Sequence, residues 1–172
     1  MFIITVRGAV NTVKAFHMKY LVFSDSHGMR NDLEQVLFSE KADAVIFLGD
    51  GLSDIEEVMH WFPGMGLVSV RGNCDFSRPF VTGERTVVTD GCTVIVTHGH
   101  AWGVKDGLYE LEAHGRDCRA TAVLYGHTHT KDLHMSDGML VLNPGSIGYG
   151  GDYAVLTLEN GQASAVLKST MS

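Results

Sequence analysis

Apolar residues fall into short runs along this chain, and several of those runs end in a small polar cluster. Tyr20-Leu21-Val22-Phe23 leads into Asp25-Ser26-His27, and Ala44-Val45-Ile46-Phe47-Leu48 leads into Gly49-Asp50-Gly51. Unbroken apolar runs of this length suit buried strands. Between the two, residues 29–40 place Leu33, Val36 and Leu37 at helical spacing, so the first segment reads as a βα unit. The second strand feeds a helix predicted over 53–61, with Ser53 as N-cap, Glu56 completing a capping box and Pro63-Gly64 stopping it. Leu67-Val68-Ser69-Val70 is the third strand.

The pattern then changes to hairpins. Residues 85–89 and 93–97 flank Asp90-Gly91, a pair suited to a type I′ turn because both central positions need positive φ. A helix over 105–118 precedes a strand at 121–125, and Asp137-Gly138 and Asn160-Gly161 mark two more hairpins. Together these elements predict an α/β fold, a two-sheet mixed β-sandwich flanked by helices, with its site at the C-terminal ends of strands.

Composition narrows the function. The chain has 172 residues, 45% of them apolar, which is one domain with a sizeable core. A formal charge of −7 and the lack of any Lys/Arg run argue against bulk nucleic-acid binding or an anionic membrane surface. Cys74, Cys92 and Cys118 form no disulfide framework, which suits a reducing, cytoplasmic setting. No apolar stretch approaches the roughly 20 residues of a membrane span. Residues 1–17 are read as an N-terminal extension or loosely packed arm, because Met18-Lys19-Tyr20 looks like a fresh start for a single domain over 18–172. An extra edge strand over 2–6 is the alternative, and signal and transit peptides fit less well.

Five clusters of metal-binding residue types carry the candidate chemistry: Asp25-Ser26-His27, Gly49-Asp50-Gly51, Gly72-Asn73-Cys74-Asp75, His98-Gly99-His100 and Gly126-His127-Thr128-His129. Alone, each has a plainer meaning, such as a capped turn or a surface histidine pair. In one short chain, at the ends of strands, they point to a hydrolytic site with two metal ions. Asp25 and His27, and likewise His127 and His129, would reach the same side if each segment stays extended. Asn73 is a neutral oxygen donor, and its neutrality matters. With Asp25 and Asp50 as the only anionic ligands, two divalent ions and a hydroxide leave a formal charge of roughly +1, which attracts a phosphate ester. One Asp must then serve both ions, which sit about 3.5–4 Å apart in such sites. His98, His127 and His129 supply neutral nitrogens, and the mixed N/O set suits Mn, Fe, Zn, Co or Ni better than an all-oxygen cage.

The order and spacing of these clusters, with Asn143-Pro144-Gly145-Ser146 further on, resemble the calcineurin-like metallophosphoesterases, most closely their YfcE-type phosphodiesterase branch. The resemblance covers residues 18–168 and implies a helix-flanked β-sandwich with metals at the strand ends. It further implies that Asp25, His27, Asp50 and His129 hold one ion, and Asp50, Asn73, His98 and His127 the other, with Asp50 bridging. Manganese is common in such relatives, with Fe, Zn, Ni, Co or Mg as alternatives. The implied reaction is in-line attack by metal-bound hydroxide on a small phosphate ester, most simply a diester. Asp50, Asn73 and His98 are its expected catalytic residues, with Cys74 and His100 beside them. His100 is open between a contact to phosphate or leaving group and a role orienting a ligand. Such relatives also allow a homo-oligomer.

Cys74 stands where many members of the wider superfamily have a histidine. A thiol with a reference pKa of about 8.5 is a weaker proton donor than an imidazolium near 6.5, so good leaving groups are expected to be preferred. Packing against the strand is the plainer reading of Cys74. Asp75 is expected to fix a histidine or the loop, His17, His60, His114 and His134 to serve surface or packing, and the eight methionines to fill the core. Arg78 and Arg85 are candidates for substrate contact. Three other functions compete: a non-catalytic scaffold such as the retromer subunit of this fold, a nuclease, and a phosphomonoesterase for a small metabolite. The complete ligand set disfavours the first, and charge and length the second.

Overall fold

The structure is a computed structural model, and the residues it describes are 17–170. The predicted edge strand over 2–6 lies outside the described residues. His17, assigned from sequence to the arm, opens β1 (His17–Phe23) and pairs with Glu159.

Among the described residues, ten strands form two five-stranded sheets. In the first sheet β1 runs parallel to β2 (Ala44–Phe47), which runs parallel to β3 (Gly66–Ser69). On its other side β1 pairs antiparallel with β9 (Asp152–Glu159), whose hairpin partner is β10 (Gln162–Ser169). The second sheet begins with the hairpin of β4 (Glu84–Thr89) and β5 (Cys92–Thr97). Parallel strands β6 (Ala122–Leu124) and β8 (Met139–Asn143) follow, and β7 (Asp132–Ser136) closes the edge. Helices α1 (Arg30–Ser39) and α2 (Leu52–Met59) cover the first sheet, α3 (Tyr109–Asp117) covers the second, and α4 (Ile147–Gly150) is a single turn near the strand ends.

The two-residue period of a strand explains the layers. Tyr20, Val22, Ile46 and Leu48 meet Val94, Val96, Leu124 and Leu142 between the sheets. The alternate residues Leu21, Phe23, Val45 and Phe47 face Leu33, Leu37, Leu52 and Ile55 from α1 and α2. Ile95, Val123 and Val141 meet Leu111 of α3 in the same way. β2, β6, β8 and the Tyr20–Phe23 half of β1 are therefore buried on both faces, which is why each reads as an apolar run, whereas the inner strands β5 and β9 keep polar positions such as Thr93 and Thr157.

All three predicted hairpins form, with Asp90, Asp137 and Asn160 at φ 48°, 51° and 51°, each before a glycine of positive φ. Two helix starts differ from the sequence reading. α2 starts at Leu52, so Ser53 lies inside it and the capping box with Glu56 does not form. The carboxylate of Asp75 takes the cap's role from 23 residues away, accepting the N–H of Leu52 at 2.9 Å. α3 starts at Tyr109 rather than near 105, because Gly103 (φ 61°) and Gly107 (φ 148°) break the helical path. Methionine is not uniformly core filler either: Met139 is buried, but Met29 and Met135 are at least half exposed.

Candidate metal centre

The strand order brings the loops after β1, β2, β3, β5 and β6 to one edge of the sandwich. Those loops are not extended. Asp25, His27, Asp50, His127 and His129 have φ of 56°, 45°, 58°, 67° and 58°, a left-handed conformation that costs a side-chain-bearing residue about 1–3 kcal/mol. The expectation that each pair leaves one extended segment is thus corrected. Left-handed backbone parts the neighbours His127 and His129: the first joins Asp50 and His98, the second joins Asp25 and His27.

Long-range hydrogen bonds hold this strained backbone. Asp75, almost fully buried, accepts from the N–H groups of Asp50 and Gly72 at 2.8 Å and of Gly51 and Leu52 at 2.9 Å, so its role is to fix loops, not a histidine. Asp54 likewise accepts from Ser26 Oγ and the Gly28 N–H. Gly72 packs so closely under Asp50 that a Cβ there would lie 2.1 Å from its Oδ1. Asn143, fully buried, donates to the Gly126 carbonyl and to Thr128 Oγ1, both at 3.0 Å, and so supports the histidine-bearing loop. Ser146 Oγ donates to the Asp25 carbonyl at 2.8 Å. The Asn143–Ser146 segment therefore braces two of the clusters.

Two groups of donor atoms result. In the first, Asp25 Oδ1 lies 3.1 Å from His129 Nε2 and 3.7 Å from His27 Nε2, while the two nitrogens are 3.3 Å apart. Asp25 is fully buried, and no hydrogen bond reaches that oxygen. A buried carboxylate oxygen without a partner is costly unless a cation joins it. In the second group, His98 Nε2 lies 3.4 Å from Asp50 Oδ2 and 3.2 Å from Asn73 Oδ1, with His127 alongside at a ring separation of 5.0 Å. His98 Nδ1 is 2.8 Å from the Leu48 carbonyl, which can only accept, so Nδ1 carries a proton and Nε2 is turned toward the two oxygens. What sits between them must be positive, either a proton on His98 or a metal ion.

The titration shifts follow from that geometry. Burial pushes His98 down, but Asp50 and Asp25 outweigh it, and its pKa ends above the usual imidazole value. Burial raises Asp50, yet His98 and the Cys74 N–H, 2.7 Å from Oδ1, hold it far below the carboxylate range. Burial, with His98 and Lys105, pushes His127 down to about 4, leaving a bare imidazole of the kind that binds metals. Asp50 also meets His27 and Cys74 in a third group of donors, so it touches both halves of the cluster. Burial and then Asp50 push the Cys74 thiol up to about 11, and Asn73 Nδ2 lies 3.3 Å from its sulfur.

His100 is in none of these groups. It lines a cavity beside Asn73, its ring is 5.4 Å from that of His98, and its Nδ1 is buried without a partner. Two residues not singled out from sequence stand at the site. Arg71 shares that cavity, its only signal in the sequence being its place directly before Gly72-Asn73. Tyr149 lies 5.4 Å, ring to ring, from both His27 and His129. The arginines that sequence offered instead are engaged elsewhere: Arg78 pairs with Glu56 at 2.6 Å, and Arg85 Nε donates to the Ser69 carbonyl. His60, His114 and His134 lie outside the cluster, in contact with Glu57, Glu84 and the Asp132–Glu112 pair.

Fold and donor set together define a metallophosphoesterase, and the chain belongs to the calcineurin-like phosphoesterase superfamily, whose domain profile matches residues 18–161. It is 32% identical over 154 residues to the probable metallophosphoesterase YsnB of Bacillus subtilis, covering 86% of this chain and 88% of YsnB. The phosphodiesterase YfcE of Escherichia coli is 27% identical over 158 residues, covering 76% and 79% of the two chains. Among solved structures, a predicted phosphoesterase from Streptococcus pneumoniae superposes with a TM-score of 0.73 at 24% identity, over 90% of this chain and all of that one. The family is metal-dependent, and the clustered donors of this chain fit that requirement. Among the described residues, no helix is long and apolar enough to cross a membrane.

Proposed function

We propose that the protein is a phosphodiesterase that uses two divalent metal ions, manganese first among them, to hydrolyse a small phosphate diester. The observation that carries this reading is the pair of adjacent donor groups, Asp25–His27–His129 and Asp50–His98–His127, with Asp50 reaching His27 as a bridging carboxylate must. Asp25, His27, Asp50 and His129 would hold one ion, and Asp50, Asn73, His98 and His127 the other. When bound, such a pair acidifies water and neutralises the phosphoryl oxygens.

The chain's own residues supply the rest. Asn73 completes the donor set without adding charge, which keeps the centre attractive to an anion. The Leu48 carbonyl fixes the orientation of His98, and Asn143 fixes the loop of His127 and His129. His100 and Arg71 face the cavity beside Asn73, where they can receive phosphoryl oxygens. Water attacks phosphorus in line and the ester oxygen leaves, so a diester gives a monoester and an alcohol. Cys74, a weak proton donor beside the cluster, limits help to that leaving oxygen. The net charge and free cysteines support a small cytoplasmic substrate over nucleic acid, with the protein working as a single chain or a homo-oligomer.

The test is to strip and restore metal, then follow hydrolysis of bis-aryl and mono-aryl phosphate alongside metal content. Wild type should bind two ions per chain and cleave the diester faster. His127→Ala should lose an ion and at least about 100-fold in kcat/KM. Activity that survives complete metal removal, or an absence of activity with two ions bound, overturns the reading.

A further inference from the structure

Beside the metal centre lies a second cavity of about 400 Å³, larger than the 260 Å³ cavity at Asn73 and adjacent to it, with Arg71 and His100 lining both. Its size falls within the roughly 300–1,000 Å³ of small-molecule sites. Its two ends differ in chemistry. The near end holds Arg71, whose guanidinium donates a 3.4 Å hydrogen bond to the Pro79 carbonyl and, among the described residues, has no carboxylate within ion-pair distance. His100, with its unpartnered Nδ1, stands next to it.

The far end is an aromatic wall. Trp102 Nε1 donates to Glu84 Oε2 at 2.9 Å, and its ring stacks on His114 at 4.4 Å and 23°. His114 is itself held by Glu84 Oε1 at 2.9 Å. The indole is thus fixed along its edge and on one face, and it packs on the cluster under α3. A ring fixed before a ligand arrives loses little freedom on binding. Glu84 lies in the same wall, so a second anion is repelled there.

Resting on the diesterase reading above, we propose that this cavity is the subsite for the organic arm of the substrate, and that the arm it selects is a neutral, planar aromatic group such as a nucleoside base. The phosphate lies at the Arg71 end, beside the metal centre, and the ring lies against Trp102. Hydroxyl and methyl arms leave the wall unused. A second phosphate in the arm would face Glu84.

Two diesters with the same leaving group test this: thymidine 5′-(4-nitrophenyl phosphate) and methyl 4-nitrophenyl phosphate. In the metal-loaded wild type the ratio of their kcat/KM values should favour the thymidine ester by at least about 10-fold, chiefly through KM. Trp102→Ala should reduce that ratio about 5- to 150-fold, the range of a lost base–aromatic stack, and Trp102→Phe should keep most of it. Should Trp102→Ala fail to fold, Ala101→Phe fills the same cavity from an exposed position and should reduce the ratio likewise. Trp61→Ala, an exposed indole outside the cavity, should leave the ratio unchanged. A wild-type ratio near one, or one that both cavity variants leave intact, overturns the proposal. If neither diester is cleaved, it is the diesterase reading that fails. Calorimetry with thymidine 5′-monophosphate then decides the subsite by itself: saturable binding weakened by Ala101→Phe supports it, and no binding overturns it.

Discussion

The two ends of the sandwich use the same unusual backbone for opposite reasons. At one end Asp90, Asp137 and Asn160 turn hairpins, and at the other Asp25, His27, Asp50, His127 and His129 carry the donor clusters; all eight have positive φ. Each hairpin residue precedes a glycine in a two-residue turn that favours its φ locally, and Asp90 also accepts from the Asn160 and Gly161 N–H groups of the neighbouring turn. Each site residue is held by contacts distant in sequence: Asp50 by Asp75, His127 by Asp25, and the loop of His127 and His129 by Asn143. Charge separates the ends in the same way. Near the Asp137-Gly138 turn, His134 lies between Asp132 and Glu112, and Arg116 reaches both Glu112 and Asp137. At the site Asp25 Oδ1 has no hydrogen-bond partner. One end is complete with its own side chains, and the other is complete only with a cation.

The strongest challenge to this contrast is to add one methyl at each end. Gly72→Ala places a Cβ 2.1 Å from Asp50 Oδ1 and 2.6 Å from its nitrogen, so it should cost about 3 kcal/mol and abolish metal uptake, as read by thermal unfolding and metal analysis. Tolerance of that methyl would mean that the site loops are as local as the turns. Asp75→Asn comes next. It keeps the shape but removes the charge that four N–H groups share, and a loss of about 2 kcal/mol is expected in denaturant titration. Gly138→Ala has open space around its new methyl and a φ of 83°, so it should cost only about 1 kcal/mol, about 2–4 °C in Tm, with metal content unaltered.

The smallest effect sharpens the charge contrast. Burial pushes His134 down, but Asp132 and Glu112 more than offset it, so its folded pKa lies above the unfolded value near 6.5. The stabilisation it brings is therefore full below about pH 6.5 and is lost as pH rises through the folded pKa. The side chain is about one-third exposed, so its contribution is under about 1 kcal/mol. Unfolding of wild type and His134→Gln at pH 6 and pH 9 should show a gap that narrows at the higher pH. A gap that widens contradicts the assignment.

Legibility in the sequence follows the same division. The strands, the Asp-Gly and Asn-Gly turns and the donor clusters were readable, because each is written in adjacent residues. What could not be read depends on contacts between segments. Ser53 has the composition of a cap, yet the chain delivers Asp75 to the helix end across 23 residues. His127 and His129 look like one ligand pair until Asn143 and Asp25 set the path of their loop. Arg71 has no motif of its own. It becomes visible only when the loops after β3 and β5 share a cavity.

His98 and His127 grow from the second sheet, and their partners Leu48 and Asp25 from the first. Side-chain and backbone bonds thus lace together two sheets that share no strand ladder, and they do so where the donors converge. A cation binding there closes that seam. Its arrival should therefore be recorded far from any chemistry, as slower amide hydrogen exchange along the tips of β2 and β5, so that occupancy of the centre can be timed by the breathing of the sandwich itself.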